Sequence, residues 1–233
     1  MEIQKPIIGK STIPANIYRD LDLTGTFKVG FIGATELLGD IRGLYGLDKG
    51  CGNGRSTKFL DKLGAKAEGI DIDQDMVNTA QRLTPHLSFK VSTYDHIPFE
   101  DNEFDFVFSA LTHVESDPTK NYAIKSDREV LRVLKPGGFY VIVTSNPAMW
   151  GHEYISFKSS FPPTFSSKSG ERVNITFKDK VQVTFQDYYW QEEDYKRILT
   201  EAGFEDKFEI VKPLPINDLC TIPPAMVIKA FKK

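Results

Sequence analysis

Three glycines at alternate positions and one acidic residue farther along the chain are the residues whose spacing suggests chemistry. The glycines stand at 50, 52 and 54, within the run Asp48–Gly54. Glycine allows a tight turn and lets a ligand reach main-chain N–H groups that a Cβ would block. Asp71 follows the last of these glycines after 17 residues. At the end of a strand, its carboxylate can accept both ribose hydroxyls of a nucleoside whose tail lies over the glycines.

The spacing of the glycines also discriminates between nucleosides. Dinucleotide-binding folds use G-x-G-x-x-G, in which the third glycine allows close helix packing. Here the spacing is G-x-G-x-G, and Arg55 stands where that third glycine belongs, which disfavours nicotinamide and flavin cofactors. An ordinary strand-to-helix turn is the structural alternative for the loop. Asp71 alone could cap a helix, but Asp73 is the better N-cap because it directly precedes a helical run.

The elements that must position these residues alternate between short apolar runs and amphipathic stretches, which is typical of βαβ units and a parallel sheet. The predicted strands are 42–48, 67–72, 87–91, 104–109, 139–144, 207–211 and 226–231, and the predicted helices are 55–63, 74–83, 119–134 and 192–202. A mostly helical segment, Ile17–Asp40, precedes the first strand. The helix before Lys135–Gly138 should end there, because proline and glycine end helices.

An aromatic-rich segment interrupts this alternation. Pro147–Trp190 holds 10 of the 28 aromatic residues, too many for a linker. Val173–Phe177 and Val181–Phe185 alternate on either side of a short turn and predict a β-hairpin. We therefore predict an α/β fold: a Rossmann-like, mostly parallel sheet with helices on both faces, an antiparallel final hairpin, and an insertion before the last helix.

We expect one domain over residues 1–233. Its predicted parts are an N-terminal helical lid (1–41), a cofactor-binding core (42–145), the insertion or cap (146–190), and a C-terminal helix with strands (191–233). The chain has no apolar run of membrane-spanning length and no secretory pattern at its start, so we expect a cytoplasmic protein. Two cysteines, Cys51 and Cys220, cannot make a disulfide framework, and no Cys/His cluster has zinc-ligand spacing. The net charge of -3 disfavours nucleic acid as a partner.

Five motifs in order resemble the class I S-adenosylmethionine-dependent methyltransferases, especially their small-molecule members. Asp48–Gly54 is similar to the acidic, glycine-rich first motif, and Gly69–Asp71 with Met76 is similar to the second. Ser92–Asp105 resembles the acid loop that leads into a Phe-Asp strand. Ser109–Val114 resembles the segment that lines the methyl-transfer site, and Leu134–Gly138 resembles the Leu-Lys-Pro-Gly-Gly turn.

The resemblance implies S-adenosyl-L-methionine as cofactor and S-adenosyl-L-homocysteine as product. The cofactor-binding residues that it implies are Asp48, Gly50, Cys51, Gly52, Asp71, Ile72, Met76, Thr93, Tyr94, Asp95 and Ser109. Two positions depart from the family pattern. Lys49 stands at a usually apolar position, which bears on packing under the loop. Thr93 replaces an aspartate that reaches adenine, so the Tyr94 main chain or the Asp95 side chain is expected to serve there.

Methyl transfer from a sulfonium needs mainly correct placement of the acceptor in a dry site. A general base is needed only for an acceptor that arrives protonated. His113 is the candidate base, with a satisfied structural histidine as the alternative. The candidate substrate-binding residues are Tyr18, His113, Trp150, His152 and Tyr154, for which core packing is the alternative. The insertion is expected to cover the site or to form a subunit interface.

These features predict methylation of a small molecule at nitrogen or oxygen, with the enzyme a monomer or homodimer. A protein methyltransferase and a non-catalytic module that binds S-adenosylmethionine remain alternatives. A base-modifying enzyme is disfavoured because Ser109–Thr112 replaces the Asn/Asp-Pro-Pro-aromatic motif after the fourth strand. A nicotinamide-dependent oxidoreductase is disfavoured by Arg55.

Overall fold

The computed structural model describes residues 24–112, 121–162, 165–178, 182–216 and 218–233. Within them the strands are β1 (Tyr45–Lys49), β2 (Lys66–Asp71), β3 (Ser88–Val91), β4 (Phe104–Ala110), β5 (Leu134–Ser145), β6 (Phe157–Ser160), β7 (Arg172–Lys178), β8 (Gln182–Tyr188), β9 (Phe208–Val211) and β10 (Ala225–Phe231). The helices are α1 (Thr24–Leu38), α2 (Arg55–Lys62), α3 (Gln74–Leu83), α4 (Asn121–Val133) and α5 (Glu192–Ala202).

Seven of these strands form one sheet in the order β3-β2-β1-β4-β5-β10-β9. The five strands from β3 to β5 are parallel, whereas β10 is antiparallel to both β5 and β9. This arrangement confirms the α/β class, the mostly parallel sheet and the antiparallel final hairpin. It also brings the carboxyl ends of β1, β2, β4 and β5 to one edge, where open α/β sheets bind ligands.

Helices cover both faces of the sheet because alternate residues of its central strands point to opposite sides. Phe106 and Phe108 of β4 pack with α1 and α2 in one core. Val107 of the same strand packs with α4 and α5 in the other core. Both α3 and α5 begin and end at the predicted residues, since Asp73 caps the first and Gly203, at φ 115°, ends the second.

Strand β5 begins earlier than the sequence indicates. The predicted strand 139–144 lies within β5, but the preceding Lys-Pro-Gly-Gly turn is part of the same strand. Leu134 already pairs with Phe104, and the register then shifts, so the turn forms a bulge inside the ladder. The helix before it ends at Val133, as the proline and glycines predict.

The insertion forms a separate three-stranded antiparallel sheet, β6-β7-β8. The predicted hairpin is confirmed as β7 and β8, although Val181 lies outside the described residues. The insertion has its own core, in which the buried residues are Met149, Trp150, Tyr154, Phe157, Val173 and Ile175. Asn146 Nδ2 donates to the Pro223 carbonyl at 2.7 Å, which ties the start of the insertion to the connection between β9 and β10.

The predicted N-terminal helical segment is represented by α1, and its earlier part lies outside the described residues. None of the helices in the described ranges is long and apolar enough to cross a membrane.

Candidate functional site

A cleft opens at the carboxyl edge of the sheet, above the ends of β1 and β2. Gly50, Asp71, Ile72, Thr93 and Tyr94 line it, and all five are predicted cofactor-binding residues. The structure thus brings together residues that lie as far apart as 44 positions in the chain.

The glycine loop turns sharply at the end of β1. The N–H groups of Gly50 and Cys51 both donate to the Ile70 carbonyl, at 2.8 and 2.9 Å, which pins the loop to β2. Gly50 has φ 73°, and a Cβ there would lie 2.5 Å from Thr112 Cγ2. Only glycine fits this position without strain, because a Cβ would displace the Thr112 side chain, which lines the cleft.

Asp71 ends β2 and faces the glycine loop. Its Oδ2 accepts the Gly52 N–H at 2.8 Å, and its Oδ1 accepts the Asp73 N–H at 2.9 Å. Burial raises the pKa of this carboxyl, and the two backbone hydrogen bonds oppose that shift. A carboxylate has about four lone-pair sites, so Asp71 keeps capacity for two ribose hydroxyls.

Asp48 precedes the loop and points away from the cleft, under α2. Its Oδ2 accepts the hydroxyls of Ser56 and Thr57 at 2.7 and 2.6 Å. Within the described residues its Oδ1 has no hydrogen-bond partner. Complete burial raises the pKa of Asp48 to about 7, and the nearby Asp71 charge adds to the rise. An orphaned acceptor beneath the loop would favour a positively charged ligand above it.

Two further predicted cofactor residues are buried next to the cleft and do not line it. The Cys51 side chain packs with Val77, Ala80 and Phe89, so this residue can offer the ligand only its main chain, whose N–H is already bonded to β2. Met76 is buried on α3.

At the far end of the cleft, Thr93 Oγ1 donates to Asp95 Oδ1 at 3.0 Å, and both residues are exposed. The Tyr94 ring stacks on the ring of Tyr122 from α4, with centroids 4.4 Å apart. This aromatic pair gives the cleft a flat apolar wall, suited to a nucleobase.

The predicted reaction end of the cleft lies after β4. Ser109 is fully buried, and its Oγ lies 2.5 Å from Thr112 Oγ1, which itself lines the cleft. His113 and Tyr18 lie outside the described residues, so the roles predicted for them stay predictions.

The three insertion residues predicted to bind substrate do not line the cleft. Trp150 and Tyr154 are buried in the core of the insertion, and the Tyr154 hydroxyl donates to the Ile222 carbonyl at 3.0 Å. His152 is half-buried beside them, and its N–H contacts Ser159 Oγ at 3.2 Å. In this structure they support the fold of the insertion, which matches the alternative of core packing.

Sequence reasoning missed seven residues that line the cleft: Lys49, Ile70, Ser92, Ile97, Thr112, Tyr122 and Ser126. Thr112 lies in Ser109–Val114, which resembles the segment that lines the methyl-transfer site, but its contact with Gly50 depends on the pairing of β1 with β4. Tyr122 and Ser126 belong to one face of α4, and nothing local in the sequence indicates that this face meets the cleft. In the sequence, Lys49 stands out only because the family usually has an apolar residue at this position.

The cleft fits S-adenosylmethionine. Asp71 would hold the ribose, Gly50 and Gly52 would pass under the methionine portion, and Ile72 with Tyr94 would contact the adenine. When bound, this cofactor supplies an activated methyl group on a sulfonium. The fit rests on the position of Gly50 in the cleft lining, the remaining acceptor capacity of Asp71 and the orphaned Asp48 Oδ1.

Comparison with known proteins agrees with this geometry. Residues 47–142 match the family described as a methyltransferase domain. The chain is 25% identical to N-demethylindolmycin N-methyltransferase of Streptomyces griseus, over 78% of each protein. It is 32% identical to demethylmenaquinone methyltransferase of Staphylococcus aureus, over 72% of this chain and 70% of that one.

Solved structures show the same fold. A SAM-dependent methyltransferase from Aquifex aeolicus superimposes with a TM-score of 0.64 at 20% identity, over 96% of this chain and all of that one. The chain shares the fold of these structures, and a relative above 30% identity spans most of the chain. The protein therefore belongs to the class I S-adenosylmethionine-dependent methyltransferases.

Proposed function

We propose that this methyltransferase methylates a nitrogen or oxygen atom of a small, largely apolar organic acceptor. The observation that carries the proposal is the position of the aromatic insertion. It leaves the sheet at the carboxyl end of β5, the same edge at which the cofactor cleft opens. The relative that acts on N-demethylindolmycin supports a small acceptor and nitrogen as the target atom.

In this proposal the insertion, residues 146–190, caps the acceptor site. It covers the cofactor-binding core of residues 42–145, and residues 191–233 complete the sheet and brace the insertion. Asn146 and Tyr154 bond the insertion to the β9–β10 connection, which holds it at this edge of the sheet. A closed cap excludes water, which strengthens electrostatic interactions in the site.

The chain's own groups act mainly by placement. The glycine loop and Asp71 orient the methyl donor, and the wall formed by Tyr94 and Tyr122 fixes one end of it. Correct orientation of two reactants alone can supply about 7–11 kcal/mol of the barrier reduction. His113, predicted to follow β4, remains a candidate for the proton of the acceptor.

The direct test is turnover. Purified protein is incubated with S-adenosylmethionine and separate panels of aromatic amines, alkyl amines, phenols and hydroquinones, and the release of S-adenosylhomocysteine is measured by mass spectrometry. We expect turnover of at least one amine or phenol, and none with Asp71→Ala. The methylated product identifies the atom.

Two other functions give different results in the same assay. A protein methyltransferase would release S-adenosylhomocysteine with protein or peptide substrates and would leave the small acceptors unchanged. A non-catalytic module would bind S-adenosylmethionine in calorimetry without turnover of any panel. We propose a cytoplasmic enzyme that is a monomer or homodimer, and light scattering of the purified protein checks its oligomeric state.

A further inference from the structure

Lys49 is the last residue of β1, and it faces the side of the sheet opposite to Asp48. Asp48 meets the α2 hydroxyls, whereas Lys49 points with Leu47 toward α4. It lines the cleft next to Gly50 and close to Thr112, at the predicted reaction end. A flexible lysine side chain is thus placed in the floor of the site.

Both apolar and polar groups surround this lysine: the core around Leu47 lies on one side and the polar cleft lining on the other. Lys49 is half-buried, and its Nζ makes no hydrogen bond or salt bridge to the described residues. Burial lowers the pKa of its ammonium, and the attraction of the buried Asp127 carboxylate on α4 opposes that shift. A lysine whose pKa is lowered gives up its proton more readily and then offers a free lone pair.

Other titratable groups face the same region from each neighbouring element. They are Asp71 from β2, Tyr94 from the loop after β3, Tyr140 from β5, and Tyr122 and Asp127 from α4. Asp71 accepts two backbone N–H groups and is expected to bind the ribose. Burial raises the pKa of Tyr140 and keeps it protonated. In the described part of the cleft lining, Lys49 is thus the one amine that can take a proton at the reaction end.

We propose that Lys49 is the general base for methyl transfer, accepting the N–H or O–H proton of the acceptor. This inference rests on the proposed function. The acceptor proton moves to the lone pair of Lys49 Nζ. The electron pair that it leaves forms the bond to the methyl carbon, and the carbon–sulfur bond breaks with its electrons on sulfur. Lys49 ends as an ammonium and the sulfonium charge is lost, so charge balances. The ammonium then returns its proton to water.

The test compares two substitutions of Lys49 whose effects differ according to whether its side chain acts as a base or only as a positive charge. Lys49→Met removes the amine, and it suits a position that is usually apolar in the family. Lys49→Arg keeps a positive charge but cannot become neutral. An acceptor that does not itself titrate between pH 6 and 10 is used, and kcat is measured across that range. Affinities for S-adenosylmethionine and S-adenosylhomocysteine are measured separately by calorimetry.

We expect the wild-type kcat to rise with pH as Lys49 loses its proton. Both variants should lose this rise and should fall about 10²- to 10⁴-fold in plateau rate, the usual share of general base catalysis. Cofactor affinity should stay within about threefold. Lys58→Met, at an exposed lysine of α2, is the matched control and should leave the profile unchanged.

Several results would overturn this role. An active Lys49→Arg enzyme with the wild-type profile would make Lys49 a fixed cation. A fall in cofactor affinity that accounts for the lost rate would make it a binding residue. A pH rise that persists in Lys49→Met and disappears in His113→Asn would assign the base to His113. A wild-type protein that binds the cofactor without turning over any acceptor would instead contradict the proposed function.

Discussion

Replacing Asp48 by asparagine tests whether a buried charge beneath the glycine loop destabilises the free protein. The substitution conserves shape, and the side-chain oxygen can still accept the Ser56 and Thr57 hydroxyls. The folded pKa of about 7 lies some three units above the usual 3.8 of aspartate. Each unit corresponds to about 1.4 kcal/mol, so ionising this group costs the folded state about 4 kcal/mol.

The direction of the pH dependence follows from the raised folded pKa. The folded protein binds the Asp48 proton more tightly than the unfolded chain, so this stabilising contribution is complete below pH 4. It is lost as the pH rises to about 7. The asparagine side chain of the variant cannot ionise, so the variant loses nothing over this range. Its NH₂ group takes the place of an Oδ1 that has no partner in the described structure, and this unpaired donor costs about 1–3 kcal/mol at every pH.

Together the two effects predict that the stability of the variant relative to wild type rises with pH. At pH 5 Asp48→Asn should be about as stable as wild type, and at pH 8 it should be about 1–3 kcal/mol more stable. Urea denaturation followed by circular dichroism at pH 5, 6, 7 and 8 measures the difference. Asp75→Asn, at an exposed acid of α3, is the control and should show no such trend.

The same variant should bind S-adenosylmethionine more weakly than wild type, because the lost carboxylate would attract the sulfonium. A stability difference that does not change between pH 5 and 8 would refute the argument that Asp48 is ionised at a cost. Unchanged cofactor affinity would mean that the buried Asp48 charge affects the stability of the fold but not ligand binding.

Three further predictions concern the cofactor and the cap. Asp71→Ala should weaken S-adenosylmethionine binding by roughly 2–3 kcal/mol. Asp71→Asn should weaken it less, since one oxygen still accepts a backbone N–H. Equal affinity of Asp71→Ala and wild type in calorimetry would exclude Asp71 from the cofactor site. Gly50→Ala should abolish binding before it unfolds the protein, because its Cβ would displace Thr112, which lines the cleft. Gly52→Ala should also abolish binding, because glycine allows the close approach of a ligand to the backbone. Normal binding with an unchanged melting temperature would contradict either prediction. Amide exchange in 146–190 should slow when cofactor and acceptor bind, whereas slowing with protein concentration alone would indicate a subunit interface.

The parts of the fold that could be predicted from sequence are those with local signals. The helix that starts after Asp73 and the one that ends at Gly203 were predicted to the residue, because capping chemistry acts within a few positions. Strand β5 was predicted too short, since its first residues join the ladder only through pairing with Phe104, a contact across 30 positions.

The residues of the candidate site also divide into those with a local sequence signal and those whose position depends on tertiary packing. The glycine loop and Asp71 could be recognised because a tight turn and a strand-end carboxylate need particular residue types at particular spacings. Trp150 and Tyr154 were predicted to bind substrate because they are aromatic. The structure places them in a core of the insertion's own, and composition cannot distinguish a pocket wall from a packed interior.

The sequence by itself determined the alternation of strands and helices in the core, the place of the glycine loop and the acid that follows it. These depend on periodicity, glycine positions and caps, which are read over a few residues. The tertiary structure alone decided that Asp48 and Lys49, adjacent in the chain, have opposite environments. One is buried beneath α2 with two hydroxyl donors and the other lies in the floor of the cleft near Asp127. The physical reason is that desolvation and charge come from residues distant in sequence, which only the packing of the sheet against its helices brings together.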